Sequence, residues 1–180
     1  MAELYLRSPL GHRAADLARL GTVEVGHLAQ IGVRCSAEEA ARLGFPLDPN
    51  TVTGDVERGV LWLGPDEWLV VGLPGTQEAV ITELESALGG THHAVVDVSA
   101  NRAVIEMRGA DRHALLASGC SIDLEAAGGW TPGRCAQTLF ARAQVILQEM
   151  DGATRVFVRP SFANYVVDRL GAAASGEGIR

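Results

Sequence analysis

The stretch LWLGPDEWLVVG, residues 61–72, sets two apolar runs around Gly64-Pro65-Asp66 and puts one tryptophan in each run, Trp62 and Trp68. Proline presets φ for a tight turn, and the short aspartate tolerates the geometry that follows. The stretch therefore reads as a β-hairpin, with strands over 59–64 and 67–73. Side chains alternate across a strand, so Trp62 faces away from Leu61 and Leu63. Both faces are apolar. One face must pack on a helix layer and the other must meet a second sheet or a partner.

The flanking segments extend this hairpin into a recognisable unit. Upstream, Val23, Val25, Ala29, Ile31 and Val33 fall on odd positions, which predicts one half-buried strand over 22–35. Ser36 with Glu39 forms a capping-box pattern for a short helix that Gly44 and Pro46 end. Downstream, Ala79, Val80, Ile81, Leu84, Ala87 and Leu88 form a helical stripe closed by Gly89-Gly90. His93 to Val98 is continuously apolar and reads as a buried strand. The order is β-α-β-β-α-β, that of a ferredoxin-like unit.

The second half repeats the theme. A strand over 102–108, a helix over 110–118, a strand over 137–149, the turn Asp151-Gly152, a strand over 154–159 and a helix over 161–170 give β-α-β-β-α. Gly44-Phe-Pro-Leu-Asp48 echoes Gly119-Cys-Ser-Ile-Asp123, about 75 residues on. The expectation is an α+β fold of two ferredoxin-like plaits packed together, each an antiparallel sheet with helices on one side. The expected divisions are an N-terminal arm over 1–21, with a short helix at 12–20, a first lobe over 22–99, a second over 100–170 and a flexible tail over 171–180.

Composition narrows the partners. All fifteen basic residues are arginine, they are scattered among acids, and the formal charge is −7. Binding along nucleic acid needs clustered positive charge, so no nucleic-acid partner is expected. No run of about 20 apolar residues is present to span a membrane. The opening residues carry no apolar leader run. Cys35, Cys120 and Cys135 are odd in number and far apart, which fits small buried hydrophobes in a reducing cytoplasm.

Motifs for chemistry are sparse. Neither GxGxxG nor GxxxxGK[ST] occurs, and Gly89-Gly90 and Gly128-Gly129 lack the strand–loop–helix setting that cradles phosphates. His92 and His93 are adjacent at a strand start, so they point to opposite faces and cannot share a metal ion. Asp97 and Ser99 share a strand face, but no histidine is placed to complete a dyad. The alternative is that both hydrogen-bond neighbouring backbone. Ala126 to Gln148 contains no acid at all, so no general acid or base is supplied there. The tryptophans Trp62, Trp68 and Trp130 are expected in packing or in a partner interface, with Trp130 in the loop GGWTPG the most exposed. No catalytic or metal residue is assigned.

At this point a resemblance appears. VVDVSANRAVIEMRGADRHALLASGCSIDL and TPGRCAQTLFARAQVILQ, with LWLGPDEWLVVG and VFVRPSFANYVVDRL, resemble the gamma subunit of heterotetrameric sarcosine oxidase, from Ser8 to about Leu170. The second half is also similar to the opening of aminomethyltransferases of the glycine cleavage T-protein type, through Asp97-Val98-Ser99, Gly109-Ala110-Asp111, Pro132-Gly133-Arg134 and Gln137-Thr138-Leu139. That family places an aspartate pair after this strand, and here Arg142-Ala143-Gln144-Val145-Ile146 carries no carboxylate. The resemblance implies a non-catalytic subunit of an enzyme that oxidatively demethylates sarcosine to glycine. It implies partners in the alpha, beta and delta subunits, chiefly alpha. FAD, FMN, NAD, tetrahydrofolate and zinc would all be held by those other subunits and none by this chain. The alternatives are a stand-alone tetrahydrofolate-binding or aminomethyl-transferring domain, with Arg102 or Arg134 meeting the ligand's glutamate tail, and a homo-oligomeric binding module.

Overall fold

The structure, a computed structural model, describes residues 8–124 and 129–176. Gly128 of the second glycine pair and residues 177–180 of the expected tail lie outside the described residues, as do residues 1–7 of the expected arm. In chain order the elements are α1 (Ala14–Arg19), β1 (Thr22–Glu24), β2 (Ala29–Arg34), α2 (Ala37–Arg42), β3 (Val52–Gly54), β4 (Arg58–Gly64), β5 (Glu67–Gly72), α3 (Gln77–Leu88) and β6 (Ala94–Asp97). They continue with β7 (Ala103–Arg108), α4 (Arg112–Ala117), β8 (Cys135–Phe140), β9 (Ala143–Met150), β10 (Ala153–Val158) and α5 (Pro160–Ala174).

The opening hairpin is β4–β5, with Trp62 opposite Trp68 and a register shift between Trp62 and Gly64. Around it the first sheet has the order β3-β4-β5-β2-β6. Leaving out the short edge strand β3, this is the split βαβ order of a ferredoxin-like plait, with β2 and β5 central. Ser36 caps α2, accepting from the Glu39 amide at 3.2 Å. Ile31, Val33, Trp68 and Val70 face Ala40 of α2 and Val80, Leu84 and Leu88 of α3.

The second sheet has the order β1-β7-β10-β9-β8. Its strands β7, β9 and β10 with α4 and α5 supply β-α-β-β-α, and the missing fourth strand comes from the other end of the chain. Thr22, Val23 and Glu24 of β1 pair antiparallel with Met107, Glu106 and Ile105. The second plait is thus a circularly permuted copy of the first, closed by the N-terminal segment. Leu17 of α1 joins Leu116 of α4 and Ala163, Val166, Val167 and Leu170 of α5 in one core against this sheet.

The two sheets pack face to face. Leu61, Leu69 and Val71 of the first meet Val104, Ile146 and Phe157 of the second. The result is four layers, helices–sheet–sheet–helices. The alternation in LWLGPDEWLVVG follows from this: Trp68 and Val70 serve the helix side, and Leu61, Leu69 and Val71 serve the sheet–sheet side.

Four expectations are corrected. The strand expected over 22–35 is two strands in two different sheets, because His27 takes a left-handed φ of 55° and turns the chain between them. The first lobe therefore does not begin at residue 22. The strand expected over 137–149 is the hairpin β8–β9, turned at Ala141 with φ 51°. β6 is not buried: it pairs only with β2 and leaves Val96 54% exposed, because the fourth strand of a plait is an edge. Finally, α5 runs on to Ala174, so the tail does not start at residue 171.

Candidate functional site

A half-open cavity of about 510 Å³ lies on the face of the second sheet that looks toward the first. Ile146 and Phe157 lie buried beneath it, Gln137 and Gln144 stand on β8 and β9, and Arg102 and Arg159 lie at one side. Arg102 is positioned by the turn into β7, where its carbonyl accepts from the Gln30 amide at 3.0 Å. Arg159 is the residue just before α5. Desolvation pushes the Arg102 pKa down, and the like charge of Arg159 pushes the same way. The hairpin contributes here as well, since Gln137 donates to the Leu63 carbonyl at 2.9 Å.

Arg134, the other arginine singled out in the sequence, is not part of this wall. Its backbone bridges to Thr51, and its carbonyl accepts from Glu149 N at 2.8 Å. Arg102 and Arg134 are not brought together around one ligand space.

Asp97 and Ser99 have the backbone role. The Ser99 hydroxyl and amide both donate to Asp97 Oδ1, at 2.6 and 2.9 Å, and the hydroxyl oxygen accepts from Gln30 N at 2.9 Å. This pair fastens the end of β6 to β2. His93 pairs with Glu85 at 3.0 Å and with the Thr91 carbonyl at 2.9 Å, and the Glu85 contact leads in raising its pKa. Among the described residues no group of three or more His, Cys, Asp or Glu is arranged to hold a metal. Burial pushes the Cys120 thiol up to about 11 and the Cys135 thiol up to about 12, so neither is a thiolate nucleophile near neutrality.

The tryptophans divide. Trp68 is 1% exposed and donates from its indole to the Pro46 carbonyl at 2.8 Å. It is a core residue and is removed from the interface candidates. Trp62 is half-buried on the same sheet face. Trp130 is also half-buried rather than exposed, because its indole donates to Glu149 Oε2 at 2.8 Å.

Glu149 is the centre that sequence reasoning missed. It is 2% exposed. Arg112 donates to its Oε1 at 2.7 Å, His113 Nε2 lies 3.0 Å from the same oxygen, and Thr154 and Trp130 donate to Oε2. The signal was present in the acid-free run that ends at Glu149, but its partners come from three separate segments, α4, the loop at Trp130 and β10. Glu149 and Ile146 are three apart on β9 and so face opposite sides of the sheet. The carboxylate therefore serves the helix side, and the cavity receives no acid from it.

Comparison with known proteins follows this geometry. The family model described as "Sarcosine oxidase, gamma subunit family" matches residues 26–176. The chain is 38% identical to the sarcosine oxidase subunit gamma of Corynebacterium sp. (strain P-1) over 133 residues, covering 66% of this chain and 64% of that one, just under two thirds of the relative's length. It is 33% identical to the subunit gamma of an Arthrobacter species, covering 91% of this chain and 89% of that one. Among solved structures, a chain of heterotetrameric sarcosine oxidase from Corynebacterium sp. U-96 superposes with a TM-score of 0.85 at 31% identity, covering 97% of both chains. The glycine cleavage aminomethyltransferase T of Bartonella henselae superposes with a TM-score of 0.64 at 13% identity, covering 90% of this chain and 49% of that one, which shows a shared fold.

Proposed function

The chain belongs to the sarcosine oxidase gamma-subunit family, and from this membership we propose that it is a non-catalytic subunit of a four-subunit, flavin-dependent sarcosine oxidase. Its role is to pack against the large alpha subunit. FAD, FMN, NAD, tetrahydrofolate and zinc belong to the alpha, beta and delta subunits, and the assembled enzyme demethylates sarcosine to glycine. The observation that carries this reading is the near-complete superposition on a chain of that enzyme. The state of the carboxylates supports the non-catalytic part. Arg142 to Ile146 has none, and Glu149, the next acid, is saturated by donors on the far face of the sheet. General acid–base work needs a carboxyl free to exchange its proton with substrate. Three unpaired cysteines fit a cytoplasmic location.

Trp62 and Trp130, half-buried on different layers, are the indoles available for docking; partly buried aromatic side chains commonly anchor interfaces. The direct test is co-expression with and without this chain. The expected result is a lower yield of assembled oxidase without it, and no sarcosine turnover by the isolated chain even with folate and flavin supplied. Turnover by the isolated chain overturns the reading. A stand-alone folate domain is less favoured, because Arg102 alone of the two candidate arginines lines the cavity. A homo-oligomeric module predicts self-association that persists when the other subunits are present.

A further inference from the structure

We propose that the outer edge of β6 is a docking site for an extended segment of another subunit, which adds to the first sheet as a further strand and carries basic side chains toward α3. The proposal rests on the subunit reading above and gives it a place on the chain. The two sheets end in four edge strands, β3 and β6, and β1 and β8. Three of them are covered. Beside β3, Val52 N donates to the Gly133 carbonyl at 2.8 Å and Cys135 N to the Asn50 carbonyl at 3.0 Å, which ties that edge to the second sheet. At β8, Gln137 donates to Leu63 of β4, and Cys120 bridges to Phe140. β1 has only three residues, with the Thr22 hydroxyl turned to the Leu17 carbonyl and Ser8 donating to Glu24. Among the described residues no backbone hydrogen bond reaches the outer side of β6.

The ladder decides which groups are free. Val98 N donates to the Gln30 carbonyl at 2.8 Å, so Gln30 and Val98 form a hydrogen-bonded pair. Bonded pairs alternate along an antiparallel ladder. Gly32–Val96 and Arg34–Ala94 are then the bonded pairs, and the N–H and C=O groups of Val95 and Asp97 point away from β2. Such a row is a template for a further strand. β6 contains no proline, and its register with β2 runs without a bulge, so two of the devices that blunt an edge are missing.

Both flanks of the edge suit an added strand, and their charges choose it. On the sheet–sheet side Val96 is exposed. On the helix side Val95 and Ile81 of α3 stand partly buried at the rim of the core. α3 sends Glu83 to Arg58 of β4 on one flank and Glu85 to His93 on the other, beside β6. Glu78 lies seven residues before Glu85 and therefore on the same flank. Asp97 shares the helix side of β6 with Val95, and its hydrogen bonds come from Ser99. Three carboxylates thus border this flank, with one histidine that Glu85 already holds. Arg34, opposite Ala94 in the ladder, is drawn to Asp66 and Glu67 instead. A strand with arginine or lysine at its helix-facing positions complements that flank. A second copy of this chain does not, because it brings its own net charge of −7.

The test compares the isolated full-length chain with the co-expressed, assembled oxidase by hydrogen exchange, read by mass on peptides spanning 91–99. The Val95 and Asp97 amides should exchange freely in the isolated chain and be slowed about tenfold or more in the assembly, as pairing into a ladder protects them. Val95→Pro removes an outward donor without breaking a bond to β2, and it should weaken association with the other subunits by about tenfold. Val96→Lys is the second variant and keeps the test valid if the proline disturbs the strand. Its side chain is exposed, so the melting temperature holds while the charge enters the contact and weakens assembly. Glu78→Arg should weaken assembly most at low salt. Normal assembly with 91–99 exchanging as fast as in the isolated chain overturns the proposal and leaves the subunit reading standing. Assembly indifferent to both Val95→Pro and Val96→Lys does the same. Edge protection in the isolated chain that grows with its concentration assigns the edge to a second copy and overturns the proposal. Failure to assemble at all overturns the subunit reading and the proposal together.

Discussion

Thr22 of β1 stands opposite Met107 of β7, so the first of the described strands closes the sheet built from the second half of the chain. The chain thus runs from the second plait through the first and back, so no single cut divides it into two complete plaits. The arm preceding β1 is fixed as well, through Leu17 in the second core.

A chain beginning at Val25 should therefore lose amide-exchange protection first in β7 and α5, although the deletion is about 80 residues from β7 in sequence. Leu17→Ala in the intact chain should cost about 2–5 kcal/mol, as buried leucine truncations do. Denaturant unfolding and hydrogen exchange check both. Unchanged protection in β7 would show that β1 is dispensable.

Glu149→Gln keeps the shape of the side chain but removes the charge that Arg112 faces, and it turns a donor toward either the Trp130 and Thr154 donors or the Arg112 and His113 pair. Breaking a buried charged network by removing one partner costs about 3–5 kcal/mol. The expected signs are a lower denaturation midpoint and a shift in tryptophan emission. In the Trp130→Phe background that emission shift should vanish while the stability loss remains.

The tryptophans of the hairpin should behave oppositely despite facing each other. Trp68→Ala removes a fully buried ring and an indole hydrogen bond and should cost about 3–5 kcal/mol. Trp62→Ala should leave most stability intact and lower the amount of alpha subunit that co-purifies. Melting curves separate the first effect, and pull-down yield the second.

Acid should weaken the pairing of β7 with β10, where Glu106 holds Arg155 and Arg108. Burial pushes the Glu106 carboxyl up, but hydrogen bonds from Arg108 and Arg155 outweigh it and leave the group below its ordinary value. A carboxyl depressed on folding contributes stability above its unfolded pKa of about 4.3, and that stability is lost as pH falls through the folded value. Unfolding free energies of the wild type and Glu106→Gln should therefore converge as pH is lowered below about 4. A gap that stays constant with pH would show that the Glu106 charge is not involved.

The echoed glycines should fail for different reasons. A methyl on Gly119 would sit 2.6 Å from the Phe140 ring, so Gly119→Ala should cost about 1–3 kcal/mol by overpacking. Gly44 has open space but a φ of 71°, so Gly44→Ala is opposed by backbone strain of about 1–2 kcal/mol. Gly44→Asn should recover part of that loss because asparagine tolerates the left-handed region, whereas Gly119→Asn should not.

The elements themselves were legible locally. Gly-Pro-Asp between apolar runs gave the β4–β5 hairpin, Ser36 with Glu39 gave the cap of α2, and the apolar stripe of 77–88 gave α3. Such signals depend on neighbours a few residues apart, and a chain carries them whatever fold it joins. Arg102 at the cavity was likewise visible as a basic residue beside a strand.

What the chain alone did not reveal depends on contacts between distant segments. The alternation across 23–33 is equally good for one strand or for two in different sheets, and only the left-handed turn at His27 separates them. An apolar run such as 94–98 has the same composition at an edge as in the middle, so the exposure of Val96 follows from strand order. Arg159 and Glu149 became notable through what surrounds them: one faces a cavity without an acid, and the other is held by residues up to 37 positions away. Local sequence sets periodicity and turns. Which strand fills the fourth place in a plait, and which charge goes unpaired, is settled when the two sheets close on each other.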